Sequence, residues 1–140
     1  MPRLPLLALA LMSLASCGGD SGSDDPQPTV QAYQAAVNQA ASKQAEAVAL
    51  APASPCDSAR QCGNLTFSQP QGNCAVFSYH TYSLVSPTAE AASAAAAEQR
   101  SLADHATTIA PPPYTSCVTS AGAQPTPVCV ANACQAAPLQ

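Results

Sequence analysis

The order of apolar and polar residues divides the start of the chain into two segments. Residues 4–14 form a short apolar run behind a single arginine, whereas residues 18–28 contain only glycine, serine, aspartate, glutamine and proline. The first has the length of a signal-peptide core and falls short of the about 20 apolar residues of a transmembrane helix. The second carries nothing that packs, so it predicts a flexible, solvated tether.

Residues 29–50 predict a helix, because apolar residues recur on one face and polar residues occupy the other. The apolar face consists of Val30, Tyr33, Val37, Ala40, Ala41, Ala47 and Val48. Pro52 and Pro55 end the helix. The apolar stripe is thin, so three roles stay open: a free stalk, a surface that faces a partner, or a packed element.

Residues 56–85 contain the densest core material. Leu65 and Phe67 alternate with polar residues, and the stretch from Val76 to Val85 is rich in aromatic and β-branched residues. The Pro-Gln-Gly-Asn sequence at 70–73 predicts a turn between two antiparallel strands.

An alanine-rich block after Ser86-Pro87 predicts a second helix that runs to about Ile109, since serine caps helices and proline suits their first turn. We expect its sheet-facing residues to be Ala91, Ala95, Leu102, Ala106 and Ile109. A final hairpin closes at Cys129 and Cys134, with Ala131-Asn132 in its turn. The predicted fold class is α+β: a small disulfide-stapled domain with short antiparallel strands and one Ala-rich helix, preceded by a tether and an N-terminal helix.

The composition limits both the core and the partners. Hydrophobic residues make up 47% of the chain, but many are alanines and there is no tryptophan, so cross-links must compensate for a thin core. The chain contains four Lys and Arg residues and eight Asp and Glu residues. This acidic balance excludes nucleic-acid binding, which needs clustered basic residues, and disfavours electrostatic adhesion to anionic lipid.

Cys17 ends the leader in the tetrad Leu14-Ala15-Ser16-Cys17. The tetrad resembles the lipobox of bacterial lipoproteins, in which the cysteine is lipidated and becomes the first mature residue. The resemblance implies a diacylglycerol on Cys17 and a further acyl chain, such as palmitate, on its amino group. Gly18 in place of an aspartate implies transfer to the outer membrane, with the domain facing the periplasm. A plain secretory signal is the alternative, although Leu14 fits ordinary cleavage poorly.

The predicted organisation has four parts. Residues 1–16 are a lipoprotein signal peptide, and 17–28 are the lipidated cysteine and its tether. Residues 29–55 are an Ala/Gln-rich helix and linker, and 56–140 are the disulfide-stabilised domain.

Six further cysteines predict disulfides, because an even number in an exported chain favours pairing. They are Cys56, Cys62, Cys74, Cys117, Cys129 and Cys134. Three precede the second helix and three follow it, so at least one bridge must join the halves. Of the fifteen possible pairings, we expect Cys62–Cys74 across the first hairpin, Cys117–Cys129 across the last, and Cys56–Cys134. Zinc is the alternative, but these spacings exceed the two-residue spacing of zinc ribbons and an oxidising compartment favours bridges. We therefore expect no metal and no cofactor.

His80 and His105 are the candidate catalytic bases. Ser78 or Ser83 could join His80 and Asp57 as nucleophile, base and orienting acid, but no glycine-flanked elbow surrounds either serine. The simpler interpretation places His80 on an edge strand and His105 at a helix C-terminus, where its charge is favourable. The chain is therefore not expected to be an enzyme.

The segment from Cys56 to Cys134 resembles small cysteine-containing lipoproteins of proteobacteria without an assigned activity. The shared elements are Gln61-Cys62 with a strand ending at Phe67, Cys74 with Tyr79 and Tyr82-Ser83, an alanine-rich helix, Cys117, and the Cys129/Cys134 pair. Many such proteins carry Gly-Gly-Pro after the third cysteine, where this chain has Ala75-Val76-Phe77.

These observations predict a lipid-anchored envelope protein with a non-enzymatic structural or protein-interaction role. Its partners would be the bilayer, through acylated Cys17, and an envelope protein that contacts the helix at 29–50 or the aromatic hairpin. No small-molecule substrate is identified. The alternatives are a periplasmic inhibitor of an envelope-targeting hydrolase and, from another class, a hydrolytic enzyme.

Overall fold

The structure is a computed structural model that describes residues 28–117 and 123–138. Its elements are α1 (Pro28–Ala49), a 3-10 turn (Ala59–Gln61), β1 (Cys62–Gln71), β2 (Cys74–Ser83), α2 (Ala89–Thr108), β3 (Pro127–Val130) and β4 (Ala133–Ala136). The strands form two separate antiparallel hairpins, which together with the helices and three disulfides confirm the α+β class. The predicted signal peptide, Cys17 and the tether up to residue 27 lie outside the described residues. None of the helices within the described ranges is both long and apolar enough to span a bilayer.

Helix α1 is a packed element and not a free stalk. Ala36, Ala40 and Ala47 are buried on the side that contacts α2. Val30, Ala41 and Val48, expected on the apolar face, are exposed instead. Alanines let two helices approach closely, so the contact follows the small residues and leaves these valines outside it.

An ion-pair group joins the two helices at their surface. Lys43 Nζ lies 2.9 Å from a carboxylate oxygen of Glu98 on α2 and 3.0 Å from one of Glu46 on α1. The hydrogen bonds to Glu98 and then to Glu46 raise the pKa of Lys43 above its usual 10.5. Because the group is solvated, it contributes little to stability.

The β1–β2 hairpin supplies the large side chains of the core. Leu65, Phe67 and Tyr82 are buried in one cluster with alanines of both helices. The strands are ten residues each and pair one to one from Cys62–Ser83 to Gln71–Cys74. A two-residue turn joins them where the sequence predicts it, and Gly72 has the positive φ (62°) that such turns favour.

Helix α2 begins two residues later than the Ser86-Pro87 signal predicts, at Ala89. The Ser86 hydroxyl accepts a hydrogen bond from the Thr88 N–H and so closes the turn that precedes the helix. The buried residues of α2 are Ala92, Ala95, Ala96, Gln99, Ala103 and Ala106. Of the residues expected to face the sheet, Ala95 is buried in the cluster with the hairpin, Ala106 is buried, Leu102 and Ile109 are half-buried, and Ala91 is exposed, so the expectation was wrong for Ala91. Among so many alanines, the buried Gln99 marks the side that faces the hairpin.

All six predicted cysteines are paired, and every bridge joins the two halves of the chain. The pairs are Cys56–Cys129, Cys62–Cys134 and Cys74–Cys117. The expected pairing was therefore wrong in all three bridges.

The strand register explains this correction. Cys62 and Cys74 each begin a strand of the first hairpin, so antiparallel pairing places them at opposite ends, roughly 30 Å apart. Cys129 and Cys134 are directly opposite each other on the second hairpin. They therefore lie on the same face of that hairpin, where Cys134 reaches Cys62 at the beginning of β1 and Cys129 reaches Cys56 in the loop before it.

Candidate functional site

The ladder pattern determines which backbone groups point out of the β1–β2 hairpin. Ser83 donates its N–H to the Pro52 carbonyl at 2.9 Å and not to β1. The Cys62–Ser83 pair is therefore one that forms no ladder hydrogen bonds, and such pairs alternate along an antiparallel hairpin. It follows from the register that the N–H and C=O groups of Thr66 and Ser68 point away from β2.

Helix α2 closes this outer edge of β1 with two side chains. The Gln99 amide donates to the Ser68 carbonyl at 2.6 Å and accepts from the Ser68 N–H at 3.1 Å. Arg100 donates to the Thr66 carbonyl at 3.0 Å. A side-chain amide offers the same donor and acceptor as a peptide group, so Gln99, only 1% exposed, takes the place of a neighbouring strand.

Among the residues that the structure describes, no side chain covers the outer edge of β2 in this way. By the same alternation, the N–H and C=O groups of Ala75, Phe77, Tyr79 and Thr81 point away from β1. Within residues 28–117 and 123–138, none of these backbone groups forms a hydrogen bond. Strand β2 also has no proline, lysine or bulge, the features that usually protect an edge. We call these four residues the open edge.

The surroundings of the open edge are apolar and uncharged. Phe77 is 40% exposed and shares the outer face of the hairpin with Tyr79. β2 contains no Asp, Glu, Lys or Arg. At one end the Thr81 hydroxyl donates to Asn64, whose amide donates to the Pro125 carbonyl at 2.6 Å. A partner strand therefore has access chiefly along residues 75–80.

The candidate catalytic residues are not brought together. The His80 ring Nε2 lies 3.2 Å from the Ala51 carbonyl, and the Ser83 hydroxyl donates to the Pro55 carbonyl. Asp57 is exposed and makes no hydrogen bond or ion pair with His80.

The remaining two candidates have separate environments. The Ser78 hydroxyl accepts from the Gln69 amide at 3.3 Å and forms no hydrogen bond with His80. His105 is exposed in the last turn of α2, the position predicted for it.

A shallow groove of about 290 Å³ lies between α1, β1 and α2. Its lining consists of alanine, valine, proline, serine and glutamine side chains, including Gln44 and Gln69. It contains no titratable group, so it offers neither an acid nor a base.

Two of the three disulfides lie side by side. The Sγ atoms of Cys56, Cys62 and Cys134 are all within 4.8 Å of one another, and Cys129 is bonded to Cys56. We call these four residues the sulfur cluster. Cys56, Cys62 and Cys134 are at most 6% exposed, whereas the third bridge, Cys74–Cys117, lies near the surface.

Backbone contacts hold the sulfur cluster in place. The Cys56 N–H donates to the Asn132 side chain at 3.0 Å, and the Cys134 N–H donates to the Ala53 carbonyl at 2.7 Å. Ala131 and Asn132 both have positive φ values, 51° and 63°, as in a two-residue hairpin turn. The predicted turn is confirmed, and its asparagine also ties the second hairpin to Cys56.

Comparisons with protein-family models, with curated proteins and with solved structures give no significant match. The site must therefore be interpreted from its own residues. Sequence reasoning missed Gln99, although a lone glutamine among alanines is a usable signal. It also missed the sulfur cluster, because spacings of four and five residues carry no sign of which segments meet.

Proposed function

We propose that this chain is an envelope lipoprotein whose folded part is a non-enzymatic protein-interaction module, with the open edge as its contact surface. The observation that carries the proposal is the row of outward backbone groups on Ala75, Phe77, Tyr79 and Thr81, which have no hydrogen-bond partner in the described part of the chain. Of the two surfaces considered from the sequence, the helix at 29–50 has its small-residue face committed to α2. The aromatic hairpin is the surface left available.

The chemistry of the open edge favours an extended peptide segment as partner. An added strand satisfies outward N–H and C=O groups without any change in the hairpin, and flanking side chains give selectivity. The accessible part of β2, residues 75–80, would pair with a partner segment of about 20 Å, at 3.3 Å per residue. Phe77 and Tyr79 on the outer face favour apolar or aromatic partner side chains.

The envelope location is supported by the leader and by the cysteines. The lipobox-like tetrad ending at Cys17 and the polar tether of residues 18–28 suit a domain held clear of a bilayer. Six cysteines paired in three bridges suit an oxidising compartment. Intact-mass analysis of membrane-extracted protein, before and after reduction, should report both the acyl chains and three bridges. Cys17→Ser should lose the acyl mass and the membrane association.

The contact surface is tested by a pair of substitutions at one position. Tyr79→Pro removes an outward N–H while keeping the β1–β2 ladder, whereas Tyr79→Ala removes the side chain and keeps the N–H. A photo-cross-linker at Phe77 should form an adduct in cells that Tyr79→Pro abolishes and Tyr79→Ala retains in part. A cross-linker at Ala35, on the exposed side of α1, serves as control. Equal adducts at both positions, or an adduct insensitive to Tyr79→Pro, would contradict the proposal.

Substitution of the two histidines distinguishes a binding module from a hydrolytic enzyme. His80→Ala and His105→Ala should leave the Phe77 adduct unchanged in a binding module, because neither ring contributes a backbone group to the open edge. Loss of a turnover activity in these variants would favour the enzyme instead.

A further inference from the structure

The sulfur cluster has the composition and spacing of a metal centre once its bridges are reduced. Zinc binds four thiolates at about 2.3 Å in a tetrahedron, which places sulfurs about 3.8 Å apart. The Sγ atoms of Cys56, Cys62 and Cys134 already lie within 4.8 Å of one another, with Cys129 adjacent. Opening both bridges lets the bonded sulfurs move apart toward that spacing, while the sulfur of Cys129, which lies outside the three-sulfur group, has to move closer to it.

We infer that the reduced protein binds one zinc ion through the thiolates of Cys56, Cys62, Cys129 and Cys134. This inference does not rest on the proposed function. With a phosphine as reductant, each bridge gains two electrons; water supplies the oxygen of the phosphine oxide and the two thiol protons. Zinc then displaces the four thiol protons, and the same four sulfurs are either two disulfides or one metal centre.

The scaffold around the sulfur cluster supports this arrangement. The Cys56 N–H and Cys134 N–H are held by Asn132 and Ala53 through hydrogen bonds that do not involve sulfur. Cys62 begins β1 and so is fixed by the first hairpin. These contacts bring four ligands from three segments near one point in the folded protein, and zinc binding would restore the link between the two hairpins that reduction removes.

The charge and burial of the site also fit a structural zinc centre. Four thiolates around zinc carry a net charge of −2, and Arg60 lies in the 3-10 turn that contacts β3. Burial of three of the cysteines excludes water, so the coordination would be closed, as in structural sites. Thiolate ligands select soft ions such as zinc over magnesium or calcium.

The test is an anaerobic cobalt titration of the phosphine-reduced full chain, followed by zinc. We expect one cobalt per chain, with the visible bands of tetrahedral cobalt and a sulfur-to-cobalt charge-transfer band, all removed by zinc. Cys74→Ser/Cys117→Ser, a matched pair outside the sulfur cluster, should keep this stoichiometry and spectrum. Cys62→Ser/Cys134→Ser should weaken binding by more than about 100-fold, the upper range for loss of a second-shell partner.

A second variant guards against a folding defect at one bridge. Cys56→Ser/Cys129→Ser should lose the tetrahedral spectrum to the same extent as Cys62→Ser/Cys134→Ser. Equal weakening by Cys74→Ser/Cys117→Ser would mean that the metal binds unspecifically to an unfolded thiol-rich chain. That result, or the absence of a tetrahedral spectrum in the unmodified protein, would overturn the inference.

Discussion

The two bridges of the sulfur cluster should stabilise the protein in a non-additive way. Their cysteines are 73 and 72 residues apart in sequence, and a loop of that length contributes about 4 kcal/mol in the chain-entropy treatment. Once one bridge is formed, the second closes only the ring made of residues 56–62 and 129–134. A ring of about 13 residues contributes about 3 kcal/mol.

The perturbation is a cycle of bridge removals. Cys62→Ala/Cys134→Ala and Cys56→Ala/Cys129→Ala should each lower the free energy of unfolding by about 3 kcal/mol, because the remaining bridge keeps the long loop closed. Removing both bridges should cost about 7 kcal/mol, which exceeds the sum of the two by roughly 1 to 1.5 kcal/mol. Each removal also loses the packing of the sulfur atoms, and this loss is contained both in the sum of the two double variants and in the fourfold variant.

The assay is equilibrium unfolding in urea, followed by circular dichroism and extrapolated to water. Cys74→Ala/Cys117→Ala is the control, since its 43-residue separation lies outside the small ring. Because this bridge lies within the long loop that either sulfur-cluster bridge closes, it should cost about 4 kcal/mol when both of those bridges are removed and less, by a similar amount in each case, when one or both are present. If the removals in the sulfur cluster are strictly additive, or if the fourfold variant is no less stable than either double variant, the shared-ring reasoning is refuted.

Three further predictions concern the core. Gln99→Ala strips both hydrogen bonds from the buried Ser68 backbone and should cost about 3 kcal/mol in the same urea assay, at 1–3 kcal/mol for each unsatisfied group. Ala96→Leu overpacks a 1% exposed position and should cost about 2 kcal/mol, whereas the exposed neighbouring Ala97→Leu should stay within about 0.5 kcal/mol. Burial raises the pKa of Tyr82 above its usual 10.0, so above pH 10 the folded state keeps a proton that the unfolded state releases. The stability present below pH 10 should therefore fall as the pH rises through that raised pKa. Tyr82→Phe should flatten this part of a series of unfolding measurements at increasing pH.

The periodicity of the sequence predicts the helices and both hairpins, because turns and apolar spacing are local properties. It does not predict the rotation of α2 about its axis, that is, which side of the helix faces the hairpin. The side that contains Ala91 and the side that contains Ala92 differ little in hydrophobicity. That rotation depends on Gln99 finding the unpaired Ser68 backbone, a contact across 31 residues of chain. The same contact closes one edge of the hairpin and leaves the other open, so the candidate interaction surface could not be predicted from local patterns either.

Bridge pairing depends on which ends of the two hairpins meet. A hairpin with cysteines at the start of each strand looks, in sequence, like one that is cross-linked within itself. Only the ten-residue strand length places Cys62 and Cys74 far apart and turns Cys62 toward the second hairpin. The even number of cysteines therefore predicts that bridges exist, but the length of β1 decides which cysteines pair.

The molecule thus has two separate cores, and they should respond differently to reduction. One is built from alanines with Leu65, Phe67 and Tyr82, while the other consists of the cysteines that join β3–β4 to the start of β1. Strands of four residues cannot hold a hairpin by themselves, since isolated two-stranded hairpins are marginal in water. Reduction should therefore speed amide hydrogen exchange in residues 127–136 by at least about tenfold relative to exchange within the inner ladder of β1–β2. Uniform acceleration across both hairpins would mean instead that the sulfurs support the whole fold as a single unit.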